Sequence, residues 1–203
     1  MLSMVSMEAS AHDFEVDGIY YNITSTTENT VEVTYKGDNY SSSAYSGSVV
    51  IPESVTYGEV TYSVTTIGSY AFYNYSGLTS VTIGNSVTSI GTHAFYGCDS
   101  LLSVTSLIES PFIIRSVFFV HDTLYVPKGT KALYEACRDW NEFSNIIEIE
   151  LSSIDQQKMI NKGEAIQLRK NYYDLNGRRI SEPQRGLNIL RMSDGSVRKV
   201  IKK

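Results

Sequence analysis

A chain of 203 residues has room for one ordinary domain and a small appendage. Its 42% apolar and 11% aromatic content suffices for a buried core, two cysteines cannot build a disulfide-dense scaffold, and no apolar run reaches the length of a membrane-spanning helix. The net charge of −5 divides unevenly: residues 1–150 carry five Lys/Arg against seventeen Asp/Glu (−12), and residues 151–203 carry twelve against five (+7). The acidic part argues against nucleic acid as a partner, while the basic end, its charges scattered among Tyr, Leu and Ile, suits either a polyanion-binding segment or a docking or sorting element.

At the start, Ala9-Ser10-Ala11 has the small-x-small form of a signal-peptidase site, with cleavage before His12. Residues 1–11 read as a signal-peptide remnant; an unstructured N-terminus is the alternative. Residues 13–23 and 30–35 then alternate apolar and polar side chains with period two, which predicts strands capping one end of the domain. Val49-Val50-Ile51-Pro52 predicts another strand, and Thr56-Tyr57 with Val60-Thr61-Tyr62 a hairpin turning near Gly58.

A repeat follows. Residues 64–73 recur as 87–96: Val64, Ile67, Gly68, Ala71, Phe72 and Tyr73 return as Val87, Ile90, Gly91, Ala94, Phe95 and Tyr96, and Leu78 and Val81 return as Leu101 and Val104. The offset of 23 residues lies in the range of leucine-rich repeats. In Leu78-x-x-Val81-x-Ile83 the apolar residues face inward and Thr82 outward, Gly91 permits a sharp turn, and Ala94-Phe95 opens a short helical turn with Phe95 inside. One such coil buries about five or six apolar side chains at roughly 1.5–3 kcal/mol each. Ordering its backbone costs about 1–2 kcal/mol per residue, so a coil is stable only when stacked on neighbours.

Further coils fit the same frame. Pro111 to Phe119 is a degenerate coil with Phe118 or Phe119 in the buried aromatic position, and Leu124-Tyr125-Val126-Pro127 repeats the strand. The fold class is therefore a solenoid: a short right-handed coil with four parallel strands centred near Val50, Thr82, Thr105 and Tyr125. At the back, Thr130 to Cys137 suits a short helix N-capped near Gly129 or Thr130, with Trp140, Phe143, Ile146 and Ile147 closing the last coil. Residues 151–169 read as a polar linker and 170–203 as a small β-module, with Asn176-Gly177 and Asp194-Gly195 as hairpin turns.

The run Val64-x-x-Ile67-Gly68-x-x-Ala71-Phe72, its copy ending in Tyr96-Gly97-Cys98-Asp99-Ser100-Leu101, and the closing Leu124-Tyr125-Val126-Pro127-Lys128-Gly129-Thr130 with Trp140-x-x-Phe143 resemble the BspA-type leucine-rich repeat family of bacterial surface proteins. The resemblance covers roughly residues 13–150 and implies a secreted or surface location and adhesion to host proteins or other bacteria. It also implies that Cys98, in the turn after a buried Phe, is a buried free thiol rather than the partner of Cys137. The tail, from Tyr172-Tyr173-Asp174-Leu175-Asn176-Gly177 to Val200-Ile201, resembles the C-terminal sorting domain of the type IX secretion system, which implies contact with that machinery.

No catalytic constellation is present: no Gly-x-Ser-x-Gly, no phosphate-cradling Gly loop, no His-Glu-x-x-His and no Cys-x-x-Cys. His12, His93 and His121 are dispersed, and His93 occupies the place of Tyr70 as a surface residue. Glu148 and Glu150, two apart on a strand or edge, read as a solvated face rather than an acid/base pair, and Asp13, Glu15 and Asp17 as strand residues without metal-loop geometry. No enzyme activity, cofactor or metal is expected. The candidate binding face is the outward row Val50, Thr82, Thr105 and Tyr125, flanked by Ser80 and Ser103, with a protein or glycan as partner. The alternative is a structural component that self-assembles through Tyr70, Tyr73 and Tyr75.

Overall fold

The structure, a computed structural model, describes residues 12–37, 45–119 and 122–150 and, in the tail, the strand backbones 171–173, 179–180, 186–191 and 197–202. The expected signal remnant, the linker and His121 lie outside the described residues.

The front cap contains β1 (Phe14–Val16), β2 (Ile19–Ser25) and β3 (Thr30–Thr34), paired antiparallel in sequence order. The first alternating run is not one strand. Asp17 and Gly18 both take left-handed conformations (φ 52° and 78°), the requirement of a type I′ hairpin, and fold β1 back on β2. After β4 (Gly47–Ile51), the strands β5 (Ser54–Tyr57) and β6 (Val60–Ile67) form the expected hairpin, turning at Gly58 (φ 62°). Phe14 stacks on Tyr57 (centroids 4.4 Å apart, 5° between planes), so β1 curls over β5. β3 runs parallel to β6 with Val31 beside Val64 and Val33 beside Ile67, which makes the cap the first rung of the coil.

The coil proper adds β7 (Leu78–Ile83), β8 (Ser89–Ile90), β9 (Ser103–Ser106), β10 (Thr123–Pro127) and β11 (Asn145–Ile149). β8 extends the first sheet by pairing parallel with β6. The second sheet has the order β11-β10-β9-β7-β4, parallel throughout, and contains the four expected strands. β11 is a fifth: Ile146 and Ile147, expected as closing residues, sit in it beside Leu124 and Tyr125. The lid falls instead to Trp140 and Phe143, both buried.

Opposite that sheet the chain turns through tight loops rather than a helical turn. Tyr70, His93, Ser116 and Asp139, each 23 residues after the last, are all left-handed (φ 61°, 61°, 50° and 69°). The period is therefore a period of backbone conformation as well as of side chains. Main-chain bonds tie each turn to the next: Phe72 N–H donates to Ala94 O (2.8 Å), and Phe95 N–H to Val117 O (2.9 Å). Inside, Phe72 stacks on Phe95 (4.9 Å, 6°) and Phe95 on Phe118 (5.2 Å, 8°). Phe118 thus takes the aromatic position and Phe119 is exposed. Trp140, 23 residues after Val117, ends the stack by packing on Phe118 (5.8 Å).

Gly91 serves a different purpose from the turn expected of it. Its φ is not positive; a Cβ there would lie 2.7 Å from Ser69 Cα of the preceding coil. Close approach of successive coils, not turn geometry, selects glycine.

The short helix α1 (Lys131–Ala136) has Thr130 at its N-cap, but the threonine hydroxyl donates back to Pro127 O (2.7 Å). The capping oxygen comes from β11: Glu148 Oε1 accepts from Gly129 N–H and Lys131 N–H, both at 3.0 Å. In the tail, β12 (Asn171–Tyr173), β13 (Arg179–Ile180), β14 (Gly186–Arg191) and β15 (Val197–Lys202) form an antiparallel sheet in the order β13-β12-β14-β15. Tyr173 pairs with Arg179 and Arg191 with Val197, flanking Asn176-Gly177 and Asp194-Gly195, which themselves lie outside the described residues.

Candidate functional site

The outward residues fall in two rows across the second sheet. Val50, Thr82, Thr105 and Tyr125 are consecutive Cα partners, and the row continues to Ile147. Two residues earlier along each strand, Ser48, Ser80, Ser103, Thr123 and Asn145 are likewise partners. All six residues named from the sequence are thus brought onto one sheet in register.

Accessibility separates the rows and corrects part of the expectation. Val50, Thr82 and Thr105 are only 7%, 3% and 9% exposed, although their side chains alternate with the interior residues Val49, Val81 and Val104. Burial at consecutive positions (Val49-Val50-Ile51, Val81-Thr82-Ile83, Val104-Thr105-Ser106) is the pattern of a parallel sheet covered on both faces. Tyr125 is half-buried. The accessible row is the other one: Ser48 and Asn145 are exposed, and Ser80, Ser103 and Thr123 are half-buried. Ser80 Oγ donates to Ser48 Oγ (2.8 Å), and Thr79 Oγ1 donates to Gly47 O (3.0 Å). Together they form a strip of small hydroxyls at strand spacing, ended by the Asn145 amide.

Sequence reasoning missed Ser48, Thr123, Asn145 and Ile147. Ser48 could have been found, because aligning Val49 with Val81 places Ser48 opposite Ser80. Asn145 and Ile147 required the strand or edge read through Glu148 and Glu150 to be extended back to Asn145 and set beside β10.

A second ladder stands on the turn side of the coil. Tyr73 stacks on Tyr96 (6.0 Å, 11°), Tyr96 meets Phe119 edge-on (5.1 Å, 61°), and His93 lies between Tyr70 (5.4 Å) and Tyr96 (5.0 Å). Tyr75, grouped with Tyr70 and Tyr73 from the sequence, is 2% exposed and belongs to the core.

The remaining polar candidates have structural partners. Asp13 Oδ2 accepts from Ile23 N–H (2.7 Å), Asp17 is the turn residue described above, and Glu150 pairs with Lys128 (3.0 Å). His12 packs edge-on against Tyr20 (4.7 Å). Cys98 and Cys137 are both free; the Cys98 thiol donates to Phe72 O (3.0 Å), and burial pushes it up to about 11. Among the described residues, no group of three or more His, Cys, Asp or Glu is placed to hold a metal ion. Nor is any helix among them long and apolar enough to cross a membrane.

No curated protein matches the chain. Among solved structures it is similar to a leucine rich cell surface protein of Faecalibacterium prausnitzii A2-165 (27% identity, TM-score 0.40), over 67% of this chain and 32% of that one. It is also similar to leucine-rich repeat proteins of Bacteroides capillosus (24%, TM-score 0.44, 68% of this chain and 98% of that one) and Bacteroides ovatus (22%, 0.37, 66% and 41%). The chain therefore spans about a third of the length of the Faecalibacterium protein. The model of the BspA type leucine rich repeat region (6 copies) matches residues 52–154, half of the chain, and with the in-register parallel coils described above it establishes that this chain belongs to the BspA-type leucine-rich repeat family.

Proposed function

We propose that the protein is a non-enzymatic binding module of the bacterial cell surface, adhering to a protein or glycan through its strand face. The observation that carries this reading is the accessible row Ser48, Ser80, Ser103, Thr123 and Asn145 on five parallel strands in register. Short hydroxyls on a flat sheet, bordered by Tyr125, suit a shallow contact repeated along an extended ligand better than a deep pocket for a small molecule. Val50, Thr82 and Thr105, buried on the same sheet, lie outside that contact. The test is a screen of the chain against extracellular-matrix proteins and glycans, with Ser80→Arg/Ser103→Arg as the variant. Loss of the captured ligand with an unchanged melting temperature is the expected result. Retained binding would remove the strand face from the reading.

The C-terminal β-module fits a role as a type IX sorting signal, with residues 12–150 as the binding domain and 151–169 as the linker. Deleting 170–203 should then leave the protein inside the producing cell; surface display without that segment would contradict the role. A self-assembly component is the second reading, favoured by the ladder of half-buried Tyr73 with exposed Tyr96 and Phe119, and it predicts a solution mass that rises with concentration.

A further inference from the structure

A groove of about 410 Å³ opens on the turn side between the third and fourth coils, lined by Tyr96, Ile114 to Phe118, Arg138, Asp139 and Glu142. It is remote from the strand face, since its residues belong to the loops opposite the second sheet. Two arginines line it, Arg115 and Arg138, at equivalent positions one 23-residue repeat apart where earlier coils have Ser69 and Thr92. Only five basic residues occur in residues 1–150, and two of them line this groove beside the carboxylates of Asp139 and Glu142, so its charges balance within a segment carrying −12.

The groups differ in how they are held. Asp139 is locked: its Oδ2 accepts from Ser116 N–H (3.2 Å), replacing the main-chain carbonyls used in earlier coils, and its Oδ1 lies 3.4 Å from Arg138 Nε. Arg115 is exposed and has no carboxylate partner among the described residues. On one side stands Tyr96, 37% exposed, with the 53% exposed Phe119 packed against it.

We infer that this groove binds a sugar unit carrying a single carboxylate. Arg115 supplies a forked donor for that carboxylate. Asp139 and Glu142 supply acceptors for hydroxyls, and Tyr96 an apolar wall for the C–H edge of the ring. A polyanion is disfavoured because the surrounding domain repels it. An apolar ligand would desolvate the Arg115 guanidinium without giving it a partner. A multiply acidic peptide would bring its further carboxylates against Asp139 and Glu142.

The inference is tested by NMR titration of the full chain with glucuronate, N-acetylneuraminate, glucose and N-acetyl-aspartyl-amide. The two acidic sugars should shift resonances around Tyr96 and Ser116, with glucose at least tenfold weaker. Arg115→Gln should weaken glucuronate binding about tenfold or more, while Ser80→Arg/Ser103→Arg should leave it unchanged, which separates this groove from the strand face. Arg115 is exposed, so its variant should melt with the parent. Equal binding of glucose and glucuronate, or an unaffected Arg115→Gln, would overturn the inference. Tighter binding of N-acetyl-aspartyl-amide than of either sugar would assign the groove to acidic peptides instead.

Discussion

The inner and outer aromatic ladders arise from the same offset and differ by one position in each coil: Phe72, Phe95 and Phe118 inside, Tyr73, Tyr96 and Phe119 outside. Inside, successive planes lie within 6° and 8° of parallel at 4.9 and 5.2 Å. Outside, Tyr73 and Tyr96 still stack at 11°, but Phe119 has rotated to 61°. The inner rings are held by side chains from two sheets and by their stacking neighbours, while the outer rings have solvent on one side. Periodicity brings equivalent residues together in both ladders, but only packing from all sides fixes their orientation.

The comparison is broken most directly by Phe95→Ala, which removes the middle ring of the inner stack. Phe95 has no accessible surface, and Phe72 and Phe118 would both face the cavity. The expected loss is about 3–5 kcal/mol. For a chain of this length each kcal/mol lowers the melting temperature by roughly 2–4 °C. A loss below about 1 kcal/mol in urea unfolding would mean that the coils do not share one continuous interior.

How far this interior was readable from the sequence follows from which signals are local. The apolar offsets, the glycines and the 56–62 hairpin are local, and they led to four strands and the buried Phe positions, while the free Cys98 followed from the family resemblance. The Asp17-Gly18 turn was equally local but hidden inside a longer alternating run. The shared left-handed conformation of Tyr70, His93, Ser116 and Asp139 was not readable, because these four residue types have nothing in common; the turn imposes the conformation. The covering of Val50, Thr82 and Thr105 was not readable either. Alternation predicts which way a side chain points, not whether that face is covered, and only the unbroken run Val49-Val50-Ile51 hinted at burial on both faces. The candidate site was therefore legible in its register but not in its accessibility.

Cys98 tests the same interior by pH. Its thiol is 1% exposed, and burial raises it from 9.0 to about 11. The folded state thus holds this proton more tightly than the unfolded state. Its contribution to stability is complete below pH 9 and is lost as pH rises towards 11. At pH 10.5 the loss relative to pH 8 should be about 2 kcal/mol. The buried Tyr21, Tyr45 and Tyr134, all raised by burial, weaken the fold in the same direction at higher pH. The contribution of the thiol is therefore the difference between the parent and Cys98→Ala in unfolding at the two pH values. Parallel losses in the two proteins would show that Cys98 titrates as it does when exposed.

A smaller effect is expected at the back end, where the cap of α1 is supplied by another strand. Glu148→Ala removes the acceptor shared by the Gly129 and Lys131 amides and should cost about 1 kcal/mol. Glu148→Gln keeps an acceptor oxygen but loses the charge at the helix start, so it should cost less. Equal costs for the two variants would mean that the charge, rather than the hydrogen bonds, carries the contribution.

Tyr73→Ala sharpens the comparison from the outer side. Tyr73 is half-buried and stacks at 6.0 Å on Tyr96 and 5.4 Å from Tyr70, so its removal forfeits ring contacts on a surface that water then fills. No closed cavity forms, and aromatic pairs of this kind contribute roughly 0.5–1.5 kcal/mol. The expected loss of about 1 kcal/mol is a fraction of that for Phe95→Ala, although the two side chains hold adjacent positions of the repeat unit in successive coils. If thermal unfolding instead gave the two variants equal losses, the outer ladder would be packed on its far side as well, and a surface that covers it in solution, such as a second copy of this chain, would have to be sought there.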